Sequence, residues 1–109
     1  MTRTTIHAAA LAAALLAAAP ARADEAAQMA RGKLLFTTAT PACALCHTLK
    51  DAGAEGAIGP VLDELQPDAA RVARALRDGI GAMPSFRATL SEDDIAALAL
   101  YVSRASRMK

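Results

Sequence analysis

Apolar residues recur at helical spacing near the start of the chain. Met29, Gly32 and Phe36 lie at positions i, i+3 and i+7, so they share one face of a helix. The pattern predicts a helix from about residue 25 to residue 37. Glycine costs about 1 kcal/mol relative to alanine inside a helix. We therefore expect another backbone to pass close to Gly32, because that contact would offset the cost.

A second helical pattern begins near residues 67–68, where Asp68 can cap the helix or load its first turn with negative charge. Its apolar stripe consists of three residues: Val72, Leu76 and Ile80. Gly79 and Gly81 are expected to end this helix. The arginines on its other faces are most simply solvated.

The third helical pattern lies at the carboxyl end of the chain. Ser91 is a favourable N-cap, and the next three residues are the acids Glu92, Asp93 and Asp94. Acidic side chains suit the positive end of the helix dipole. The apolar face is formed by Ile95, Leu98 and Val102, with Ala97 and Tyr101 beside them. This is the clearest of the predicted helices.

No alternating strand pattern, repeat or interdomain linker is visible, and residues 51–59 are expected to form a loop. The pattern therefore predicts an all-α single domain. The chain has two Phe, one Tyr and no Trp, which is little large apolar volume for a core. Small domains of this kind often depend on a covalent staple or a cofactor. We predict that the bare polypeptide folds poorly without such support.

Residues 1–23 have the features of a secretory signal peptide. Arg3 supplies the positive charge, residues 8–19 are an Ala/Leu run, and Ala21-Arg22-Ala23 is a small-x-small cleavage site. The apolar run is shorter than the about 20 residues that span a bilayer. The alternative is an uncleaved anchor. Cleavage would leave one domain at residues 24–109, and we expect it in the bacterial periplasm with no membrane attachment.

Cleavage would also change the charge of the chain. Loss of Arg3 and Arg22 lowers the basic residues from 12 to 10 against 11 acidic residues, a formal charge of −1. There is no basic patch with interleaved aromatic residues, so we expect no nucleic-acid partner.

The strongest chemical signal is Cys43-Ala44-Leu45-Cys46-His47, a C-x-x-C-H motif typical of c-type haem attachment. One helical turn can present both thiols to the haem vinyl groups, and His47 can reach the iron as the proximal ligand. The motif has two other interpretations, a redox dithiol and a structural zinc site. A redox dithiol usually accompanies a βαβ pattern, which is missing here. A structural zinc site needs four ligands, and the other histidine, His7, lies in the predicted leader.

The second axial ligand has three candidates once the leader is removed: Met29, Met83 and Met108. Met29 lies on the apolar face of the first predicted helix and is better interpreted as core. Met108 is one residue from the terminus. Met83 lies in a loop after a helix, and Pro84 stiffens that loop. Given a haem, Met83 is the expected ligand, because His/Met ligation is the cytochrome c pattern.

These motifs together resemble a small bacterial class I cytochrome c. The resemblance covers nearly all of residues 32–102 and rests on Gly32-x-x-x-Phe36, the C-x-x-C-H motif, Gly59-Pro60, Met83-Pro84 and a terminal helix with Tyr101. It implies short helices wrapped around one covalent haem c, with the first and last helices crossing. It also implies that the Pro60 carbonyl accepts a hydrogen bond from the His47 imidazole, which would orient that ligand.

A narrower set of segments is similar to small monohaem cytochromes associated with bacterial sulfite dehydrogenases: residues 43–49, 51–55, 59–65 and 81–86. That resemblance implies a single-electron carrier, not an enzyme. It would accept electrons from a molybdenum sulfite dehydrogenase and pass them to a downstream cytochrome or terminal oxidase. The carrier could be a monomer or a subunit of a small redox complex.

A small, weakly polar docking rim around the haem edge is expected from Ala42, Ala44, Ala82, Pro84 and Phe86. Transient redox interfaces are usually small.

Two other functions stay open on the sequence alone. One is a haem-based sensor or gas binder in which Met83 dissociates, and the other is a haem-free dithiol oxidoreductase.

Overall fold

The computed structural model describes residues 1–2 and 19–109, and the fold within them is mostly helical. Its four α-helices are α1 (Ala19–Thr38), α2 (Leu62–Leu65), α3 (Ala69–Asp78) and α4 (Glu92–Ala105). Two short 3-10 helices span Cys43–Leu45 and Lys50–Ala52, and two antiparallel strands are β1 (Thr48–Leu49) and β2 (Ala54–Glu55). The all-α expectation is confirmed, with this one small hairpin added.

Helices α1 and α4 pack directly against each other. A Cβ atom on Gly32 would lie 2.4 Å from the Ala97 carbonyl oxygen and 2.4 Å from the Tyr101 Cβ. Only a glycine lets the two backbones come this close. The Phe36 and Tyr101 rings meet edge to face, with their centroids 6.2 Å apart. The expected close approach at Gly32 is therefore present, and α4 is the element that makes it.

The predicted caps form, and the helix that Gly79 was expected to break ends there, but one residue of its predicted apolar stripe is wrong. The Ser91 hydroxyl accepts a hydrogen bond from the Asp94 backbone N–H at 3.1 Å, and the Asp68 carboxylate accepts one from the Arg71 N–H at 2.7 Å. Helix α3 ends at Asp78, because Gly79 adopts a φ of +71°. Ile80 was expected on the apolar stripe of this helix, but it lies beyond the helix end and is 70% exposed.

The segment expected to be a loop contains more structure than its sequence indicates. The hairpin formed by β1 and β2 has only two residues in each strand, too few for an alternating pattern to be visible. The four-residue helix α2 was also missed. The Asp63 carboxylate in α2 accepts a hydrogen bond from the Lys50 backbone N–H at 3.0 Å. This bond joins α2 to the segment between β1 and β2.

The first helix begins earlier than predicted, at Ala19 rather than near residue 25. Residues 3–18 of the predicted leader lie outside the described residues. Among the residues that the structure does describe, none of the helices is both long and apolar enough to cross a membrane.

The core lies between α1, α3 and α4 and extends toward the loops. Its largest fully buried apolar side chains are Tyr101, Phe36, Leu49, Ile95 and Leu98. Most of them belong to α1 and α4, so the terminal helices supply most of the buried apolar volume. The loops between these helices enclose the cavity described next.

Candidate cofactor site

A cavity of about 520 Å³ opens between the loops and helices α3 and α4. That volume lies within the range of about 300–1,000 Å³ usual for small-molecule sites. Its lining includes every residue that the sequence analysis assigned to a haem: Cys43, Cys46, His47, Pro60 and Met83. Two thiols, one imidazole and one thioether therefore line the same cavity.

The C-x-x-C-H motif forms a tight helical turn, as its spacing predicts. Residues Cys43–Leu45 are a 3-10 helix, and the Cys43 carbonyl accepts hydrogen bonds from the backbone N–H groups of Cys46 (3.1 Å) and His47 (3.0 Å). This turn brings both thiols and the imidazole to the wall of the same cavity.

The environment of the Cys43 thiol bears on the alternative of a dithiol enzyme. Burial raises the pKa of Cys43 to about 11, so this thiol stays protonated near neutral pH. A dithiol oxidoreductase needs the opposite, a thiol whose pKa is lowered so that the reactive thiolate forms. The environment of Cys43 therefore disfavours the interpretation as a haem-free dithiol enzyme.

The His47 imidazole is held by the loop at residues 59–60. Its Nδ1 lies 2.8 Å from the Pro60 carbonyl oxygen, and a carbonyl can only accept, so Nδ1–H is the donor. This leaves the Nε2 lone pair available for a metal ion. A carbonyl partner on the other ring nitrogen is the usual way in which proteins orient a metal-binding histidine.

Gly59 also contacts the imidazole, a role that the sequence analysis missed. A Cβ atom at this position would lie 2.6 Å from His47 Cε1 and 2.9 Å from Nδ1. The Gly59 N–H donates to the Cys46 carbonyl at 2.7 Å, which fixes the loop against the motif. The only signal in the sequence was the Gly-Pro pair, which indicated a loop end but not its contact with His47.

Met83 ends a tight turn that follows helix α3. The backbone N–H of Ile80 donates to the Met83 carbonyl at 3.0 Å, and the Met83 N–H donates to the Ile80 carbonyl at 2.9 Å. Gly81 occupies the first central position of this turn with a φ of +54°, which glycine adopts without strain. Among the described residues, Met83 is the one methionine that lines the cavity. Met29 packs against the core, and Met108 is 51% exposed.

Residues 27–102 match the family described as cytochrome c oxidase, cbb3-type, subunit III. The fold is also similar to the crystal structure of the c-type cytochrome SorU from Sinorhizobium meliloti, with a TM-score of 0.70. The two sequences are 50% identical, and the match covers 72% of this chain and 91% of that chain. The chain belongs to the cytochrome c family. No curated protein matches it significantly.

This cytochrome is accordingly an electron-transfer protein rather than an enzyme, as expected. The class I cytochrome c fold predicted from the motifs is also confirmed. Cytochromes of this family carry a covalently bound haem c, and Cys43 and Cys46 are the two cysteines of the chain. The axial ligands are taken up as a proposal below.

The walls of the cavity fit a haem in this cytochrome. They are mostly apolar, with Leu62, Leu76, Phe86, Leu98 and Val102 among the lining residues. A large flat apolar group is stabilised by such walls, and water is excluded from it. The polar groups on the lining include two arginines of α3, Arg71 and Arg74. The donor set of two thiols, one imidazole and one thioether is the set that haem c attachment and ligation use.

The predicted docking rim is wrong for one residue. Phe86 is only 3% exposed and belongs to the core, where it also lines the cavity. The aromatic side chain packs inward because the chain folds back onto α3 directly after Met83. Ala82 and Pro84 are exposed, and Ala42 and Ala44 are half-buried. These four small residues remain a candidate rim.

Proposed function

We propose that this cytochrome is a periplasmic single-electron carrier in which His47 and Met83 are the axial ligands of one haem c. The observation that carries the proposal is the shared cavity: Cys43, Cys46, His47 and Met83 line it together. A C-x-x-C-H motif by itself predicts only attachment and one ligand. A thioether on the same cavity supports the sixth ligand.

Each residue has a defined task in this proposal. When bound, a haem supplies an iron centre that gains or loses one electron. Cys43 and Cys46 would hold it through thioether bonds, and His47 would offer Nε2 while the Pro60 carbonyl keeps Nδ1 protonated and the ring oriented. The Met83 thioether would be a soft ligand, which favours the reduced iron and raises the reduction potential. With both ligands in place, no coordination position stays open for a substrate.

Buried apolar walls contribute to the same function. Leu98 and Val102 of α4 line the cavity and are 1% and 4% exposed, so they cannot be rearranged without disturbing the helix crossing. A rigid, water-poor surrounding changes little when the charge of the iron changes. That rigidity keeps the reorganisation small, as a fast electron carrier requires.

The location and the partners are part of the proposal. Residues 1–23 would be removed as a signal peptide, which leaves residues 24–109 in the periplasm, where c-type haem is attached. The resemblance to cytochromes of sulfite dehydrogenases suggests a molybdenum sulfite dehydrogenase as the electron donor. A downstream cytochrome or terminal oxidase would be the acceptor. Ala42, Ala44, Ala82 and Pro84 would form the small contact surface for these partners.

The decisive experiment is a visible spectrum of the periplasmic protein, oxidised and reduced, with and without carbon monoxide. We expect a c-type reduced spectrum that carbon monoxide does not change, and a far-red Met–iron band in the oxidised protein. His47→Ala should abolish the holoprotein. Met83→Ala should remove the far-red band, lower the potential and allow carbon monoxide to bind.

Two results would contradict the proposal in different ways. A wild-type protein that binds carbon monoxide readily would favour a haem-based sensor with a labile Met83. Normal haem incorporation in His47→Ala would exclude His47 as the proximal ligand.

The choice of electron donor is tested separately, by adding sulfite and a purified molybdenum sulfite dehydrogenase to the oxidised cytochrome. Rapid reduction that depends on both additions is expected, and slow reduction would argue for another donor.

A further inference from the structure

The segment after Met83 folds back onto the carboxyl end of helix α3. A helix leaves its last carbonyl groups without partners inside the helix. Two of these carbonyls in α3 are satisfied by the returning segment. The Leu76 carbonyl accepts from the Phe86 backbone N–H at 2.7 Å, and the Arg77 carbonyl accepts from the Ser85 hydroxyl at 2.5 Å.

Arg87 binds the same helix end. Its Nε donates to the Arg77 carbonyl at 3.1 Å, and its Nη2 donates to the Asp78 carboxylate at 3.1 Å. The Arg87 backbone N–H also donates to the Ser85 hydroxyl at 3.3 Å. A cation is favourable at this position, because the carboxyl end of a helix carries partial negative charge. Ser85 and Arg87 therefore share one acceptor and contact each other.

Met83 lies between this attachment and the end of α3. On its amino side, Gly79 closes the helix, and a Cβ atom there would lie 2.8 Å from the Met83 carbonyl oxygen and 2.9 Å from the Ser85 N. On its carboxyl side, Ser85 and Phe86 are bonded to α3. The Met83 backbone is thus held at both ends by one helix, and the Ile80–Met83 turn holds it internally.

We propose that Ser85 and Arg87 are positioning residues that keep the Met83 thioether on the iron. This inference rests on the proposed His47/Met83 ligation. Neither side chain is proposed to touch the haem. They act through the Arg77 carbonyl, and their bonds are present only while the Met83 segment lies on α3. Loss of these bonds raises the population in which the segment lifts and the sixth position opens.

The binding of an external ligand measures that population. Imidazole added to the oxidised holoprotein can bind only where Met83 has left the iron, so its apparent affinity rises with the open fraction. One hydrogen bond shifts an equilibrium by about fivefold, and we expect Ser85→Ala and Arg87→Ala each to tighten imidazole binding by about that factor. The double variant should bind imidazole more tightly than either single variant. Its change in affinity should differ from the product of the two single changes, because both side chains share one acceptor.

Matched controls lie outside the Met83 segment. Ser103→Ala removes a hydroxyl that donates to the Leu100 carbonyl at 3.0 Å, and Arg31→Ala removes an exposed arginine paired with Asp94 at 3.0 Å. Both should leave imidazole affinity within about twofold of the wild type. Unfolding of every holoprotein is followed by circular dichroism. If a control variant is less stable than the wild type but binds imidazole with the same affinity, then a loss of stability alone does not open the sixth position.

The outcomes distinguish this inference from the proposed function. If the wild type shows the far-red band and Met83→Ala opens the sixth position, but Ser85→Ala and Arg87→Ala bind imidazole like the controls, the positioning role is wrong and the ligand assignment stands. If Met83→Ala binds imidazole no better than the wild type, the ligand assignment fails and this inference fails with it. Should Ser85→Ala not mature, Ser85→Thr, which keeps the hydroxyl, is expected to mature with wild-type affinity, and Arg87→Ala carries the test.

Discussion

Helices α1 and α4 pack on each other, whereas residues 41–86 wrap around a cavity. In the first region a glycine lets the backbones of the two helices approach closely. The side chains at this contact are almost fully buried, and Phe36 and Tyr101 are each 1% exposed. In the second region, short turns and loops line about 520 Å³ of mostly apolar space. The helix crossing is therefore stabilised by its own packing, and the loop region depends on the group that it encloses.

The two regions are not independent. Leu98 and Val102 of α4 belong to the core and also line the cavity, so the helix crossing forms one wall of the site. A change in the group bound in the cavity should therefore alter the packing of α4.

The largest effect is expected from removing the haem attachment. Cys43→Ala/Cys46→Ala should lose most of the about 5–15 kcal/mol that stabilises an ordinary domain, because the apolar cavity walls would be exposed to water. Hydrogen exchange followed by mass spectrometry should show residues 41–86 exchanging fastest. The matched wild-type holoprotein serves as the control. Cooperative unfolding with protected loops in the haem-free variant would show that the loop region is stable by itself.

The next effect tests the helix crossing alone. Gly32→Ala should destabilise the holoprotein by about 2 kcal/mol, because the added Cβ would overlap Ala97 and Tyr101. Helix propensity alone predicts a gain of about 1 kcal/mol. Ala30→Gly, at an exposed position of the same helix, should lose about 1 kcal/mol. Chemical unfolding of both variants is the measurement, and a stabilised Gly32→Ala would contradict the close approach.

A third prediction concerns the site rather than the crossing. Gly59→Ala should displace the His47 ring, because its Cβ would lie 2.6 Å from Cε1, and it should weaken the bond to Pro60. We expect a changed reduction potential and haem spectrum. Gly53→Ala is the control, since a Cβ there meets no atom within 4 Å. Its positive φ costs about 1–2 kcal/mol of stability, but its spectrum should not change. Equal spectra for both variants would argue against contact between Gly59 and His47.

The smallest expected effect concerns a contact that joins the two regions. The Tyr101 hydroxyl of α4 donates to the Asp51 carboxylate at 2.6 Å, and Lys33 of α1 lies 3.4 Å from the same oxygen. Tyr101→Phe should cost about 1–2 kcal/mol, because Asp51 would lose a donor. Phe36→Leu is not a suitable control, since it changes the packing itself. Lys33→Ala, which removes the more exposed partner, should cost less than about 1 kcal/mol.

The same contact predicts a pH dependence. Burial and the bond to Asp51 raise the pKa of Tyr101 above its ordinary value of about 10. The contribution of the neutral hydroxyl to stability is therefore complete below about pH 10 and is lost as the pH rises further toward the raised pKa. The unfolding free energy of the wild type should fall in this range, and Tyr101→Phe should fall less steeply. Parallel curves for the two proteins would exclude Tyr101 as the titrating group.

Much of the fold could be predicted because its signals are local. The stripe through Phe36, the Ser91 cap and the C-x-x-C-H turn each lie within a few consecutive residues, and backbone geometry converts such spacing directly into structure. The sequence does not fix the last residue of α3, since Gly79 and Gly81 can both break a helix. Only the φ of +71° at Gly79 shows that the helix stops before Ile80.

The rest depended on contacts between distant parts of the chain. No local pattern indicates that Phe86 packs inward, that Gly59 lies against His47, or that Ser85 and Arg87 return to α3. Local sequence patterns determined three of the four α-helices in the described residues, the family motifs and the groups able to bind a haem. The tertiary structure decided which of these groups share one cavity, because only packing sets the distances between residues that are far apart in the chain.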